Sequence, residues 1–404
     1  MKKFFYLMAM VCTLGFFTAC SSDNDDPADV WETFQGGKYS LWAEELDTED
    51  NDLDYEFWDL DMNVEKAGNT TAKVTMTDKT GMIDLTVPEA QIIAVDGYTL
   101  RGKGTIKVTD IEDDDIQAKK IFKAAKATKA TETSTMEVDF TAKISADNKN
   151  VSVELKADGE TLTATNATEK PAVSQLLGTW DMKPMVMYDS NGQVTTDPDQ
   201  ASMWGGSFLM TWEVKENCPD VLGFMKASDA ARMANGIVNQ LMPNVLKSVA
   251  FTADGKILAQ YAEATASQDD NNATAPSWLI AQDYATYKAV SDNQIVVFLN
   301  KDKILSTVTD AAQKTAISTI LSQFEQGIPV NVRWSNNNNT AYFYVDQSFA
   351  TALASNTVLA GMIGNLQDED LAGFAPMIKA IMQQMPELME ATTKFEAGLE
   401  LVKD

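Results

Sequence analysis

"NVSVELKADGETLTATN", residues 150–166, decides how the first half of this chain folds. Val151, Val153 and Leu155 alternate with Ser152, Glu154 and Lys156. A period of two puts one set of side chains in a core and the other in water, the signature of a half-buried strand. Asp158-Gly159 comes next, a pair suited to the positive-φ positions of a type I′ turn, whose twist matches antiparallel neighbours. Glu160 to Asn166 then runs back. The stretch predicts a β-hairpin.

Working outward, the same short runs of Thr, Val and aromatic residues recur in "GKYSLWAEEL", "YEFWDLDMNV", "TAKVTMTD", "GMIDLTV", "YTLRGKGTIKVTD" and "TMEVDFTAKIS". Together with the hairpin they give about eight strands with no long helix, which predicts an antiparallel barrel or sandwich. Pro88 has no N–H to donate, so its strand is expected to end there or lie at an edge. Residues 110–134, "DIEDDDIQAKKIFKAAKATKATETS", break the pattern and read as an inserted loop or short exposed helix. Lys119, Lys120, Lys123, Lys126 and Lys129 fit a solvated face of that segment better than an anion site.

"TEKPAVS", residues 168–174, reads as a linker. Beyond it helices and hairpins alternate. Hairpin turns are predicted at Asn191-Gly192, Asp254-Gly255, Asp292-Asn293 and Asn336 to Asn339. Ala230, Met233, Ala234, Ile237, Val238, Leu241 and Val245 share one helical stripe, with Pro243 expected to kink or end it. Ile304, Val308, Ile317, Ile320, Leu321 and Phe324 predict one long helix, and the last 55 residues read as helical, with Pro386 as a first helical residue.

At the other end, Met1-Lys2-Lys3 precedes an uncharged run, Phe4 to Phe17. That length fits the apolar region of a secretory signal and is short of the about 20 residues a spanning helix needs. Phe17-Thr18-Ala19-Cys20 follows, and then the acidic "SSDNDDP". The segment resembles the lipobox of bacterial lipoproteins, which implies cleavage before Cys20 and acylation of that residue. Asp23, Asp25 and Asp26 resemble the acidic export signals of Bacteroidetes lipoproteins, which implies the outer membrane and an outward-facing protein.

Without residues 1–19 the chain holds 30 basic and 59 acidic residues, a net charge of −29. Such a surface repels phosphate backbones and argues against nucleic-acid binding and against adsorption to anionic lipid. Membrane attachment is therefore expected through the lipid at Cys20 alone. The chain has no histidine, which removes the commonest general base and every His-based metal site. With Cys12 in the signal and Cys20 acylated, Cys218 stands alone and reads as a small buried apolar residue or an inert loop thiol. Asp50, Asp52 and Asp54 alternate as in a calcium loop, but Tyr55 and Asp61 occupy the places an EF-hand gives to Gly and Glu. Asp113, Asp114 and Asp115 read as a solvated loop too, as do Asp269 and Asp270. No nucleophile elbow, phosphate loop or dinucleotide fingerprint occurs, so no catalytic residue, metal or cofactor is assigned and a non-enzyme is expected.

The strand series from "GKYSLWAEEL" to Asn166 resembles the calycin-like domains of Bacteroidetes lipoproteins. "LLGTWDM", with Gly178 and Trp180, resembles the Gly-x-Trp start of lipocalin-like domains of unknown function. The resemblance implies Trp180 closing one end of a barrel. The expected architecture is mainly β plus α. Residues 1–19 are a lipoprotein signal, 20–34 an acidic tether, 35–167 an antiparallel calycin-like barrel, and 175–404 an α+β lipocalin-like domain with inserted and terminal helices.

The leading functional expectation is a small apolar or amphipathic ligand held inside such a barrel. The alternatives are glycan capture beside an uptake system, or a structural protein whose tail, residues 349–401, docks a partner. Trp278, Trp204 and Trp334 are the candidate ligand-binding residues, because tryptophan offers a broad apolar face with a polar edge. Met377, Met382, Met385 and Met389 read as helix packing.

Overall fold

The computed structural model describes residues 29–48, 51–79, 83–108, 134–157, 159–171, 173–262, 276–309, 311–335, 339–354 and 375–404. Cys20, Asp50, the 110–133 insertion, Asp269, Asp270 and the 336–338 turn lie outside these residues, as do the side chains of Met377 and Met382.

The first module is a closed antiparallel barrel of eight strands taken in chain order. They are β1 (Gly37–Asp47), β2 (Asp54–Lys66), β3 (Thr71–Asp78), β4 (Ile83–Ala94), β5 (Tyr98–Val108), β6 (Ser134–Ile144), β7 (Val151–Ala157) and β8 (Glu160–Thr165). Closure needs only two residue pairs, Trp42 with Thr165 and Ala43 with Ala164. Alternation runs as the sequence predicts: Val74, Met76, Leu85, Leu100, Ile106 and Val153 point inward and are fully buried. Lys73, Thr77, Lys103, Lys107, Glu137, Asp139 and Lys143 face water. Pro88 does not end its strand. It sits exposed within β4, where the pairing with β5 slips between Thr86 and Gln91, so the missing N–H costs no ladder bond. The barrel also starts earlier than residue 35. Asp29 accepts from the Trp31 N–H, the chain turns through Val30–Glu32, and Phe34 is buried in the core.

The second module is also a ring of eight strands, but not in simple order. These are β9 (Gly178–Met182), β14 (Leu246–Phe251), β15 (Lys256–Ala262), β16 (Trp278–Ser291), β17 (Gln294–Leu299), β18 (Ile328–Ser335), β19 (Thr340–Asp346) and β20 (Thr392–Lys403), and β20 pairs back to β9. β9 covers only the far end of β20, through Met182, Asp181 and Trp180. The remaining edge of β20 is taken by β13 (Phe208–Val214), so β9 and β13 act as one strand interrupted by an insertion. That insertion folds as a small sheet of β10 (Val186–Tyr188), β11 (Val194–Thr195) and β12 (Met203–Gly205), with β10 in the middle.

Three expectations are corrected here. Residues 392–403 form the strand that closes the ring, not part of a terminal helix, because Phe395, Ala397, Leu399 and Leu401 alternate and face inward. The single helix expected around 304–324 is two, α2 (Lys301–Thr307) and α3 (Ala311–Ser322), following α1 (Ala227–Leu241). Pro386 lies inside α5 (Ala375–Ala391), not at its start; α4 (Gln347–Ala354) precedes it. Trp180 is fully buried, donates to the Leu176 carbonyl at 2.8 Å and packs among Phe251, Phe343 and Leu401.

The barrels touch through Leu53 and Tyr55 of the first and Leu177, Ala250 and Leu258 of the second. The Tyr55 hydroxyl donates to Glu44 at 2.7 Å and accepts from the Ala253 N–H at 2.8 Å. Burial first, and then the Glu44 carboxylate, push that phenol well above its ordinary pKa, so it stays a donor. Asp52 pairs with Lys247 at 2.8 Å across the same junction.

Candidate functional site

Among the described residues, the interior of the first barrel is filled by side chains. Ten or so inward side chains, Ala72, Val74, Met76, Leu85, Val87 and Leu100 among them, have no accessible surface at all. A void able to hold water beside any of them would register as exposure, so side chains fill the interior. The expectation of a ligand inside this barrel fails on packing.

Cleft formation begins instead with the free edge of β13. An uncovered strand edge invites pairing with other chains. Here α1 lies along it, and two asparagines replace the missing strand. Asn235 accepts from the Met210 N–H at 2.7 Å and donates to the Met210 carbonyl at 3.2 Å. Asn239 does the same for Phe208, at 2.8 and 2.9 Å. Four residues of helix rise about 6 Å and two of strand about 7 Å, so the two amides fall in step with the ladder.

Holding α1 this way turns a neighbouring face of it toward β12. Between them lies a cleft of about 350 Å³ whose walls include Met203, Trp204, Met225, Met233, Gly236 and Ile237. Met233, Gly236, Ile237 and Gln240 follow helical spacing, so one face of α1 supplies one wall. No side chain stands between Gly236 and Trp204: a Cβ placed on that glycine would meet the indole at 3.9 Å. Asp229 and Arg232 line the rim and pair with each other at 2.7 Å. Beside Met225 the chain makes a tight turn from Val221 to Met225, closed by backbone bonds of 2.7 and 3.0 Å. Leu222 adopts φ +57 there, a strained value for a side-chain-bearing residue, with its N–H held by Gln384 at 2.8 Å. The turn leaves Phe224 72% exposed. Methionines and a bare phenyl ring make an apolar, adaptable surface, and among the described residues the charges lining it, Asp229 and Arg232, pair with each other.

The three candidate tryptophans fall in different places. Trp204 lines the cleft. Trp334 packs inside the second ring, 5.8 Å from Trp180, and donates to the Asp292 carbonyl at 2.8 Å. Trp278 is half-buried at the first residue of β16, opposite Ala262. Of the others, Trp58, Trp180 and Trp212 are core residues. Sequence reasoning missed the Asn235/Asn239 clamp and the α1 wall. The i, i+4 asparagines were a legible signal, since two amides on one helix face demand polar partners. Cys218 is half-buried, and its thiol is raised above its ordinary pKa by burial and then by Glu387, which suppresses the nucleophilic thiolate. Among the described residues no cluster of three metal-ligating side chains occurs, and no helix is long and apolar enough to cross a membrane.

No protein-family model matches the chain, and no curated protein matches it. Among solved structures it is similar to a "putative outer membrane protein" from Bacteroides fragilis, at 10% identity and a TM-score of 0.35, over 94% of this chain and 100% of that one. Those values are too low to transfer any property between the two.

Proposed function

We propose that this chain is a lipid-anchored protein of the bacterial envelope, facing outward, that binds a small neutral amphiphile beside Trp204 and performs no chemistry on it. The observation that carries the reading is the cleft itself: apolar walls, one indole, a volume of about 350 Å³ and a self-paired rim. That size falls within the about 300–1,000 Å³ of small-molecule sites. The charge of −29 left once residues 1–19 are removed disfavours an anionic head group.

The anchor at Cys20 is supported by the polarity of the first barrel. Membrane-spanning barrels are apolar outside and polar within. This one is the reverse, with buried Met76, Leu85 and Val153 inside and Lys73, Lys103 and Asp139 outside. Attachment to a bilayer then falls to acyl chains, each methylene of which contributes about 0.8 kcal/mol.

Thermal unfolding with monolaurin or lysophosphatidylcholine tests the binding. A saturable rise in Tm that Trp204→Ala and Met233→Asp abolish is expected. Absence of any rise, or a rise untouched by both variants, overturns the site. For the anchor, mass spectrometry of protein from its native host should find Cys20 acylated. An unmodified thiol there ends that part of the proposal.

A further inference from the structure

A second surface has a different chemistry. On the outer face of β1 and β2, Trp42 stands opposite Asp59 and Ser40 opposite Asp61. The Trp42 ring stacks against Phe57, centroids 5.9 Å apart and planes 22° off parallel. After β8 the chain crosses this face, and Asn166, Thr168 and Lys170 complete a cleft of about 260 Å³. The indole N–H points at the Thr168 carbonyl, a long contact of 3.5 Å. Asp59 is held from two sides, by Lys79 at 3.2 Å and by Lys170. Asp61 accepts from the Ser40 hydroxyl at 2.9 Å.

Three features narrow the ligand. Carboxylates, ammonium groups, an amide and hydroxyls surround one flat apolar ring, so donors and acceptors alternate at the edge of a stacking surface. Asp59, Asp61 and Glu169 outnumber Lys79 and Lys170 in the lining, and that excess of negative charge repels an anion. The cleft is smaller than the about 300 Å³ at which drug-sized sites begin, so it fits a ring or two of an extended chain better than an engulfed molecule. A polyhydroxylated ring has the matching chemistry: an apolar C–H face for the indole and hydroxyls that both donate and accept.

We propose that this cleft is a saccharide subsite, with Trp42 as its stacking platform and Asp59, Asp61, Lys79 and Asn166 as its polar rim. It is independent of the amphiphile cleft, since no residue lines both. Isothermal titration of the purified full chain with maltohexaose, xylohexaose and mannohexaose tests it, with oligogalacturonate as the anionic comparison. At least one neutral oligosaccharide is expected to bind at millimolar concentration or better. Trp42→Ala should weaken it by about tenfold or more, Trp42→Phe should restore most of the loss, and Trp204→Ala should change nothing. Asp61→Ala, at an exposed position, provides a variant that leaves packing intact and is also expected to weaken binding. No binding of the three neutral probes, binding of oligogalacturonate alone, or binding that survives both Trp42→Ala and Asp61→Ala overturns the proposal.

Discussion

The two barrels share strand number and antiparallel order but differ in how they treat their interiors and edges. The first pairs every strand with its sequence neighbour, closes on itself and packs its centre solid. The second interrupts one strand of its ring, leaves inward residues such as Val297, Val330 and Leu399 only partly buried, and recruits helices to cover what strands do not. What this teaches is where function has room. A ring without gaps has only its outer surface to offer, whereas an interrupted ring creates walls between strand and helix, and the Trp204 cleft is one of them.

The comparison is broken most directly by emptying each interior. Phe140→Ala, in the first barrel's core, is expected to cost about 3–5 kcal/mol. Trp334→Ala in the second ring should cost less, because its side chain is only partly buried. Urea unfolding of both variants measures this, and equal losses would erase the distinction. Next in size is the helix clamp. Asn239→Ala leaves the Phe208 N–H and carbonyl without their amide partner at a site 2% exposed, a loss of about 1–3 kcal/mol. It should also bare an edge of β13, so light scattering is expected to show concentration-dependent association absent from the parent.

Smaller still is the junction. Tyr55→Phe removes a hydroxyl shared by Glu44 and Ala253, at a cost of about 0.5–1.5 kcal/mol. Calorimetry is expected to resolve the two modules' transitions further apart in the variant. The least effect comes from acid. Its hydrogen bond from Lys247 holds the Asp52 carboxyl below its ordinary pKa. A depressed folded-state pKa stabilises above the unfolded value of about 3.9, and that stabilisation is lost as pH falls through the lower folded value. Asp52 remains 69% exposed, so solvent screens most of the gain. Melting temperature followed from pH 5 downward should drop slightly more for the parent than for Lys247→Met.

Legibility followed the same division. The first barrel was readable because Val74, Met76, Val151, Val153 and Leu155 each alternate with polar neighbours, and local alternation is all an in-order barrel requires. The second was readable hairpin by hairpin, at Asp254-Gly255 and Asp292-Asn293, but not as a ring. "TTKFEAGLELVK" reads as helix by its Ala, Glu, Leu and Lys, although Phe395, Ala397, Leu399 and Leu401 keep a period of two. Tertiary pairing with β19 and β13 decides between them. Trp204 could be singled out by its chemistry, but not its neighbours, because the cleft depends on α1 lying against an edge that no single-segment pattern encodes.

The meeting of Met182 with Leu401 joins residues that lie far apart along the chain. The first module can shut while later residues are still being synthesised, since its final pair is Trp42 with Thr165. Closure of the second needs β20, which pairs with both β19 and the distant β9. Pairings so distant along a chain form late, and the delay exposes strand edges to the wrong neighbours. Loss of residues 392–403 would therefore strand a finished first module beside an open sheet.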